Sequence, residues 1–160
     1  MKKLLLSTTL LAGLFSFQAH ADYVAPTPSV ASQAAQYSIM DINSLIKAAK
    51  AGQPGAQFYL ATKYQYGKDI QKDETLARQY FEKAASRGDN RASFNLAMME
   101  EKKKNYMGAY QWYELSTRDG MLDNKVITLS EGKKTALAAN LTQEQIRQAR
   151  DRADRWIQAQ

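Results

Sequence analysis

Two stretches of the chain repeat the same pattern at a spacing of 36 residues: AAKAGQPGAQFYLA at positions 48–61 and AASRGDNRASFNLA at positions 84–97. Both begin with Ala-Ala and share a glycine, an alanine, a phenylalanine and a Leu-Ala pair at identical offsets. A fixed period of this length is typical of stacked repeats, in which each unit buries its apolar face on the next. The pattern therefore favours a binding scaffold over an enzyme.

A second predicted helix recurs with a shorter shift of 32 residues. Between Glu74 and Arg87, apolar and small residues recur at one-turn spacing, as in an amphipathic helix. Four of its positions have counterparts in the second copy: Ala77 with Ala109, Tyr80 with Trp112, Phe81 with Tyr113 and Gly88 with Gly120. The length difference falls between Ala97 and Ala109, where a loop is predicted, and repeats tolerate length changes best in loops.

Glycine and aspartate mark the predicted helix ends. Gly52, Gly88 and Gly120 each follow a helical pattern, so we expect them to take the left-handed conformation that closes a helix. Asp73 precedes the helix from Glu74 and is expected to cap its N-terminus. The apolar spacing predicts about six helices, stacked as antiparallel pairs, and no sheet.

The first 21 residues have the pattern of an export signal. Two lysines precede an apolar run that ends near Phe17, and Ala19-His20-Ala21 has the small-x-small form that signal peptidases recognise. The run is shorter than the roughly 20 residues that span a bilayer, which argues against an anchor. We expect a mature chain that begins at Asp22, with residues 22–40 as a flexible leader. The predicted location is periplasmic or secreted, in a Gram-negative bacterium.

Composition removes most catalytic and metal-binding chemistry. The chain has no cysteine, and its one histidine, His20, lies in the predicted signal segment. The mature protein therefore lacks Ser-His and Cys-His nucleophile pairs and the usual zinc ligands. Glu100 and Glu101 are adjacent, but neighbouring helical residues do not face each other. The lysine run at 102–104 beside them favours a solvated, charge-balanced helix end over an acid/base dyad. We expect no catalytic residue, no metal and no cofactor.

The positive charge does not indicate a nucleic-acid partner. The 22 Lys and Arg residues exceed the 16 Asp and Glu residues, for a net charge of +6, but the basic residues are spread along the chain. A nucleic-acid binder concentrates basic residues on one face and interleaves stacking aromatics. We therefore interpret the charge as a solvated surface.

The first repeat resembles the Sel1-like repeat, a relative of the tetratricopeptide repeat. The resemblance rests on the small, aromatic and glycine positions of that pattern: Ala56, Leu60-Ala61, Tyr64, Gly67, Asp73, Ala77, Tyr80-Phe81, Ala84-Ala85 and Gly88. The second copy, residues 92–120, is degenerate, because it lacks the central glycine and has Glu100 where the first has Tyr64. The resemblance implies an all-α fold: a right-handed α/α solenoid of stacked antiparallel helix pairs over residues 41–120.

The resemblance also implies a binding site. In this repeat class the first helix of each unit lines a concave groove, which suits a peptide or a protein loop. Matching positions of this chain give seven groove residues: Phe58, Thr62, Gln65, Tyr66, Phe94, Met98 and Glu101. The implied function is a non-enzymatic adaptor for a protein or peptide partner, one version being an immunity-type inhibitor that holds a toxin. We expect a monomer.

The alternative function is an enzyme that acts on peptidoglycan-like cell-wall material. Export and a basic surface would suit an anionic polymer as substrate. The difficulty is that the sequence offers no catalytic constellation.

Residues 121–160 are predicted to close the stack with capping helices, as open-ended stacks require. Thr142 and Gln145 have the spacing of a capping box. One face of the last helix carries Ile146, Ala149, Ala153 and Trp156. We expect Trp156 to bury its ring against the preceding helix, near Leu137 and Leu141.

Overall fold

The computed structural model describes residues 35–118 and 123–160. Within these ranges the secondary structure is helical and contains no β-strand: α1 (Ile42–Lys50), α2 (Pro54–Tyr66), α3 (Glu74–Ala85), α4 (Asn90–Lys102), α5 (Tyr106–Ser116), α6 (Asn124–Ala138) and α7 (Gln143–Gln158). The all-α prediction is confirmed: residues 35–38 are also helical, and these seven helices follow where about six were expected. The predicted signal segment, most of the predicted leader and Gly120 lie outside the described residues.

The helices stack in chain order. Each of α1 to α5 packs on the helix that follows it, and α2 with α3 and α4 with α5 form the most extensive pairs. The α4–α5 pair is antiparallel, since Asn90 at the start of α4 donates to the carbonyl of Ser116 at the end of α5 (3.1 Å). The last helix, α7, packs on α5 rather than on its neighbour α6. The described part of the chain is therefore a helical-repeat solenoid whose end is covered by α7.

Four helices end in the same left-handed turn. Gly52, Gly67 and Gly88 have φ values of 87°, 69° and 80°, so the prediction for Gly52 and Gly88 is confirmed. After Gly88, the amide of Asp89 donates to the carbonyl of Ala84, five residues back (3.1 Å). This bond closes the helix and requires a backbone conformation that glycine adopts without strain.

The degenerate repeat forms this turn without glycine. Lys104, at the end of α4, has φ 59°. Its amide donates to the carbonyl of Glu101 (2.8 Å), and the amide of Asn105 donates to that of Glu100 (2.9 Å). The missing glycine of the second repeat is therefore replaced by a lysine in a conformation that costs a non-glycine residue about 1–2 kcal/mol.

Small residues let the helices approach closely, and large ones fill the space between them. Nine alanines from five helices are completely buried: Ala56, Ala61, Ala77, Ala84, Ala92, Ala97, Ala109, Ala149 and Ala153. Phe81, Leu96 and Tyr113 fill the larger of two apolar clusters. The smaller cluster contains Leu45 and Leu60.

The segment before α1 also contacts the solenoid. Tyr37 is buried, and its hydroxyl donates to Oε1 of Gln53 (2.5 Å). A Cβ atom added to Gly55 would lie 2.8 Å from the ring of Tyr37. Any side chain at Gly55 would therefore displace Tyr37.

Helix α7 begins and packs largely as its sequence predicts. Thr142 and Gln145 form the capping box, and Ile146, Ala149 and Ala153 are buried. The ring of Trp156, however, packs edge-on against Trp112 of α5, with centroids 4.9 Å apart. The expected contact with the preceding helix was wrong, because α7 crosses back to the second repeat.

Candidate protein-binding groove

A groove opens between the first helices of the two repeats, at their C-terminal ends. It encloses about 460 Å³ between the C-terminal ends of α2 and α4, with the start of α3 beside them. Eight residues line it: Gln65, Tyr66, Lys72, Glu74, Met98, Met99, Lys102 and Lys103. Because α2 and α4 are the first helices of the two repeats, this is the kind of surface for which the resemblance implied a binding site.

The groove presents apolar surface to solvent. Tyr66 is 68% exposed and Met98 is 42% exposed, whereas Met99 is buried. Scattered exposed apolar residues are ordinary, but exposed apolar residues that line one groove mark surfaces where other molecules bind. Methionine adds adaptability, because its unbranched side chain repacks around different partners.

Three of the seven predicted groove residues, Gln65, Tyr66 and Met98, line this groove. The remaining four, Phe58, Thr62, Phe94 and Glu101, are only partly exposed, and each has a contact within the repeats.

Two of the four make aromatic contacts between helices. Phe58 contacts the ring of Phe81 on α3, with centroids 5.8 Å apart, and lies under the guanidinium of Arg91 at 4.4 Å. Phe94 meets the ring of Tyr113 on α5 edge-on at 5.4 Å. These contacts hold each first helix to its partner, so the two phenylalanines have a packing role whatever the groove binds.

The other two use their polar atoms internally. The Thr62 hydroxyl donates to the carbonyl of Phe58 (3.0 Å). The Glu101 carboxylate accepts from the hydroxyl of Tyr113 (2.6 Å) and from Nζ of Lys133 (2.9 Å). Glu101 thereby joins α4 to both α5 and α6.

Sequence reasoning missed five of the lining residues: Lys72, Glu74, Met99, Lys102 and Lys103. Lys72 lies in a loop, where helical periodicity gives no information about direction. The lysine run at 102–104 was visible as a cluster of charge. No pattern among neighbouring residues indicated that this lysine run would face the beginning of α3.

Glu74 connects two of the groove lysines. Its carboxylate lies 3.3 Å from Nζ of Lys72 and 3.3 Å from Nζ of Lys102. The hydrogen bonds from Lys72 and then Lys102 hold the pKa of Glu74 below its usual value. Glu74 is therefore ionised at neutral pH, and it partly neutralises this rim of the groove.

The solvated helix end predicted for Glu100 and Glu101 is wrong for Glu100. Glu100 is buried, not solvated, and it accepts from Nη1 of Arg78 (2.5 Å) and Nδ2 of Asn105 (2.7 Å). Burial opposes ionisation, but hydrogen bonds from Asn105 and Arg78 outweigh it and lower the pKa of Glu100. Glu100 joins α3 to the α4–α5 loop, while Glu101 faces α5 and α6, so the two carboxylates do not form a dyad.

Neither a metal-binding cluster nor a membrane-spanning helix is present in the part of the chain that the structure describes. No group of three or more His, Cys, Asp or Glu residues is placed to hold a metal ion within residues 35–118 and 123–160. Over the same ranges, none of the helices combines the length and apolar character needed to cross a membrane.

Comparison with known proteins identifies the repeats. Residues 54–89 and 91–121 each match the Sel1 repeat. The first match covers α2 and α3, and the second covers α4 and α5. The chain belongs to the Sel1-like repeat family.

A solved structure agrees with this assignment. The Sel1-like repeat protein is similar to c5321, whose crystal structure is described as that of a protective antigen present in uropathogenic Escherichia coli strains and displaying an SLR fold. The TM-score is 0.66 at 25% sequence identity, over 80% of this chain but 30% of c5321. This Sel1-like repeat protein thus spans less than a third of that relative. A search of curated proteins found no match.

Sel1-like repeats are generally protein–protein interaction scaffolds. The groove between α2 and α4 brings apolar side chains and lysines of the two repeats together.

Proposed function

We propose that this protein is a non-enzymatic scaffold of the bacterial envelope that holds a segment of a partner protein in the groove between α2 and α4. The observation that carries the proposal is the exposure of Tyr66 and Met98 on the first helices of adjacent repeats, where they line one groove. A groove with apolar anchor sites and a polar rim is the general form of a peptide-binding surface.

Site-specific photo-crosslinking tests the groove. A benzoylphenylalanine is placed at position 66 or 98, with position 129 as the matched control, because Leu129 is 47% exposed on α6, outside the groove. We expect discrete crosslinks in cells from positions 66 and 98 and none of the same mass from position 129. The proposal fails if positions 66 and 98 give no crosslink, or if position 129 gives the same one.

Reconstitution then separates a binding partner from a chance neighbour. The crosslinked protein is purified and titrated against wild-type protein and against Met98→Asp. A buried charge in an apolar contact typically costs a few kcal/mol, so we expect a loss of affinity of about 30-fold or more. Circular dichroism of the variant should be unchanged, because Met98 is exposed. Equal affinity for both proteins would refute binding in this groove.

The envelope location rests on the export pattern of residues 1–21. Cell fractionation followed by N-terminal sequencing tests it. We expect a periplasmic or secreted protein whose first residue is Asp22. A cytoplasmic protein that retains Met1 would contradict this part of the proposal.

The identity of the crosslinked partner distinguishes narrower roles. A toxin would support an immunity-type inhibitor, and an envelope protein would support an assembly role. A host protein would support a role at the host interface, in line with the description of c5321 as a protective antigen. The cell-wall enzyme remains the alternative, but Glu100 and Glu101, the carboxylates that sequence reasoning considered for it, are both engaged in contacts between helices.

A further inference from the structure

The groove combines apolar surface with an excess of positive charge. Three lysines, Lys72, Lys102 and Lys103, line it together with Tyr66 and Met98. Glu74 is the one acidic residue among its eight lining residues. Lys102 is extended into solvent, with 74% of its side chain exposed. A partner segment in the groove would therefore meet apolar surface and unneutralised positive charge together.

We infer that the groove binds an acidic, amphipathic protein segment. In the free protein, the carboxylate of Glu74 occupies the position that a carboxylate of this segment takes in the complex. This inference rests on the proposed function and specifies the chemistry of the partner. A carboxylate of the partner replaces Glu74 between Lys72 and Lys102. An apolar side chain of the same segment packs on Tyr66 and Met98.

Electrostatics supports an acidic occupant. Lys103 adds a third positive charge to the pair that Glu74 bridges. The side chains of Lys72, Glu74 and Lys102 are 56%, 51% and 74% exposed, so the attraction for a carboxylate should weaken as salt is added. The first turn of α3, which begins at Glu74, adds the positive end of a helix dipole.

The apolar surface distinguishes a protein segment from an anionic polymer. A nucleic acid binds along a basic track in which aromatic rings are interleaved. Here Glu74 lies among the lysines, and the apolar lining consists of Tyr66 and the two methionines, Met98 and Met99. Apolar side chains at one-turn spacing on a peptide helix match such a lining.

Peptide display tests the inference without a known partner. Random peptides on phage are selected on the wild-type protein, and the enriched peptides are titrated against three variants. Lys102→Glu/Lys103→Glu reverses the rim charge, and Glu74→Gln removes the competing carboxylate. Lys125→Glu is the control, because Lys125 is exposed near the start of α6 and lies outside the groove.

We expect enriched peptides that combine Asp or Glu with Leu, Phe or Met. Their affinity should fall on the order of tenfold for the double reversal and rise on the order of threefold for Glu74→Gln, given the usual strength of exposed ion pairs. Lys125→Glu should leave the affinity unchanged. Because the two groove variants move affinity in opposite directions, a folding defect cannot explain both, and thermal melting of each variant checks this directly.

Other outcomes overturn the inference. Enrichment of neutral or basic peptides, no enrichment, or affinities that ignore both groove variants would show that the groove does not select acidic segments. Acidic peptides without apolar residues, displaced equally well by dextran sulfate, would indicate an anionic polymer as the ligand. If crosslinks from positions 66 and 98 are obtained despite any of these results, the scaffold function stands and only the charge preference fails.

Discussion

Removing the ring of Trp156 should weaken the whole stack, because this ring is the largest side chain with which α7 contacts the second repeat. Trp156 is half-buried and meets Trp112 edge-on at 4.9 Å, with the ring planes at 70°. Truncation of a core aromatic residue to alanine costs about 3–5 kcal/mol. Since Trp156 keeps part of its surface in water, we expect Trp156→Ala to cost about 3 kcal/mol, out of a total of about 5–15 for a domain of this size.

A double-mutant cycle isolates the contact between the two rings. Trp112→Ala, Trp156→Ala and the double variant are unfolded in urea and followed by far-ultraviolet circular dichroism. Edge-to-face aromatic pairs are worth about 0.5–1.5 kcal/mol beyond their burial, so the double variant should be less destabilised than the sum of the single variants by that amount. Gln158→Ala, exposed on the same helix, is the matched control and should change stability by less than about 0.5 kcal/mol.

The result that refutes the reasoning is additivity. If the destabilisation of the double variant equals the sum of the two single destabilisations within about 0.3 kcal/mol, the two rings do not interact in solution.

The protein contains two tryptophans, Trp112 and Trp156. The near-ultraviolet spectrum of the wild type therefore reports on this pair alone among indole groups, and it should change when either ring is removed.

Three further predictions concern helix ends, the cap and acid stability. Gly88→Val should lower the free energy of unfolding by about 1–2 kcal/mol, because valine is strained in the left-handed conformation. Lys104→Gly should leave the free energy of unfolding unchanged or raise it by up to about 1 kcal/mol. Urea unfolding measures both, and equal effects of the two substitutions would contradict the assigned conformations. Deleting residues 143–160 should give an aggregating protein without a cooperative thermal transition, because Trp112 and Tyr110 lose their cover; size-exclusion chromatography and thermal melting test this, and a monomer that melts cooperatively would disprove it. Since the pKa of Glu100 is lowered in the folded protein, its contribution to stability is complete above its unfolded pKa and is lost as pH falls through the folded pKa. Glu100→Gln should therefore flatten the decline in urea midpoint between about pH 5 and pH 3, and an unchanged acid slope would count against the ion pair with Arg78.

The helices and their ends could be predicted from sequence because they depend on neighbours in the chain. Apolar residues at one-turn spacing predicted α3, and Asp73, Gly52 and Gly88 marked ends that the structure confirms. The capping box at the start of α7 has the same local origin. Each of these signals involves residues within about one helical turn.

The contacts that sequence analysis did not predict join residues that are far apart in the chain. Glu100 was interpreted as solvated because lysines follow it, but its partner Arg78 comes from the preceding helix. Trp156 was assigned to the preceding helix, whereas its partner Trp112 lies two helices earlier. For the groove, Tyr66 and Met98 followed from the repeat register, while Glu74 and its lysines required knowing how α3 begins relative to α4.

The stacking order also determines where the molecule opens first. Helix α5 is covered on three sides, by α4, α6 and α7, whereas α1 packs chiefly on α2 and α7 chiefly on α5. Amide hydrogen exchange should therefore be slowest in α5 and fastest in the terminal helices α1 and α7, because local opening requires the loss of only the contacts that a segment makes. Opening would proceed as fraying from the two ends of the stack. A ligand that spans α2 and α4 should slow exchange in both helices, so the exchange rates themselves become a measure of occupancy.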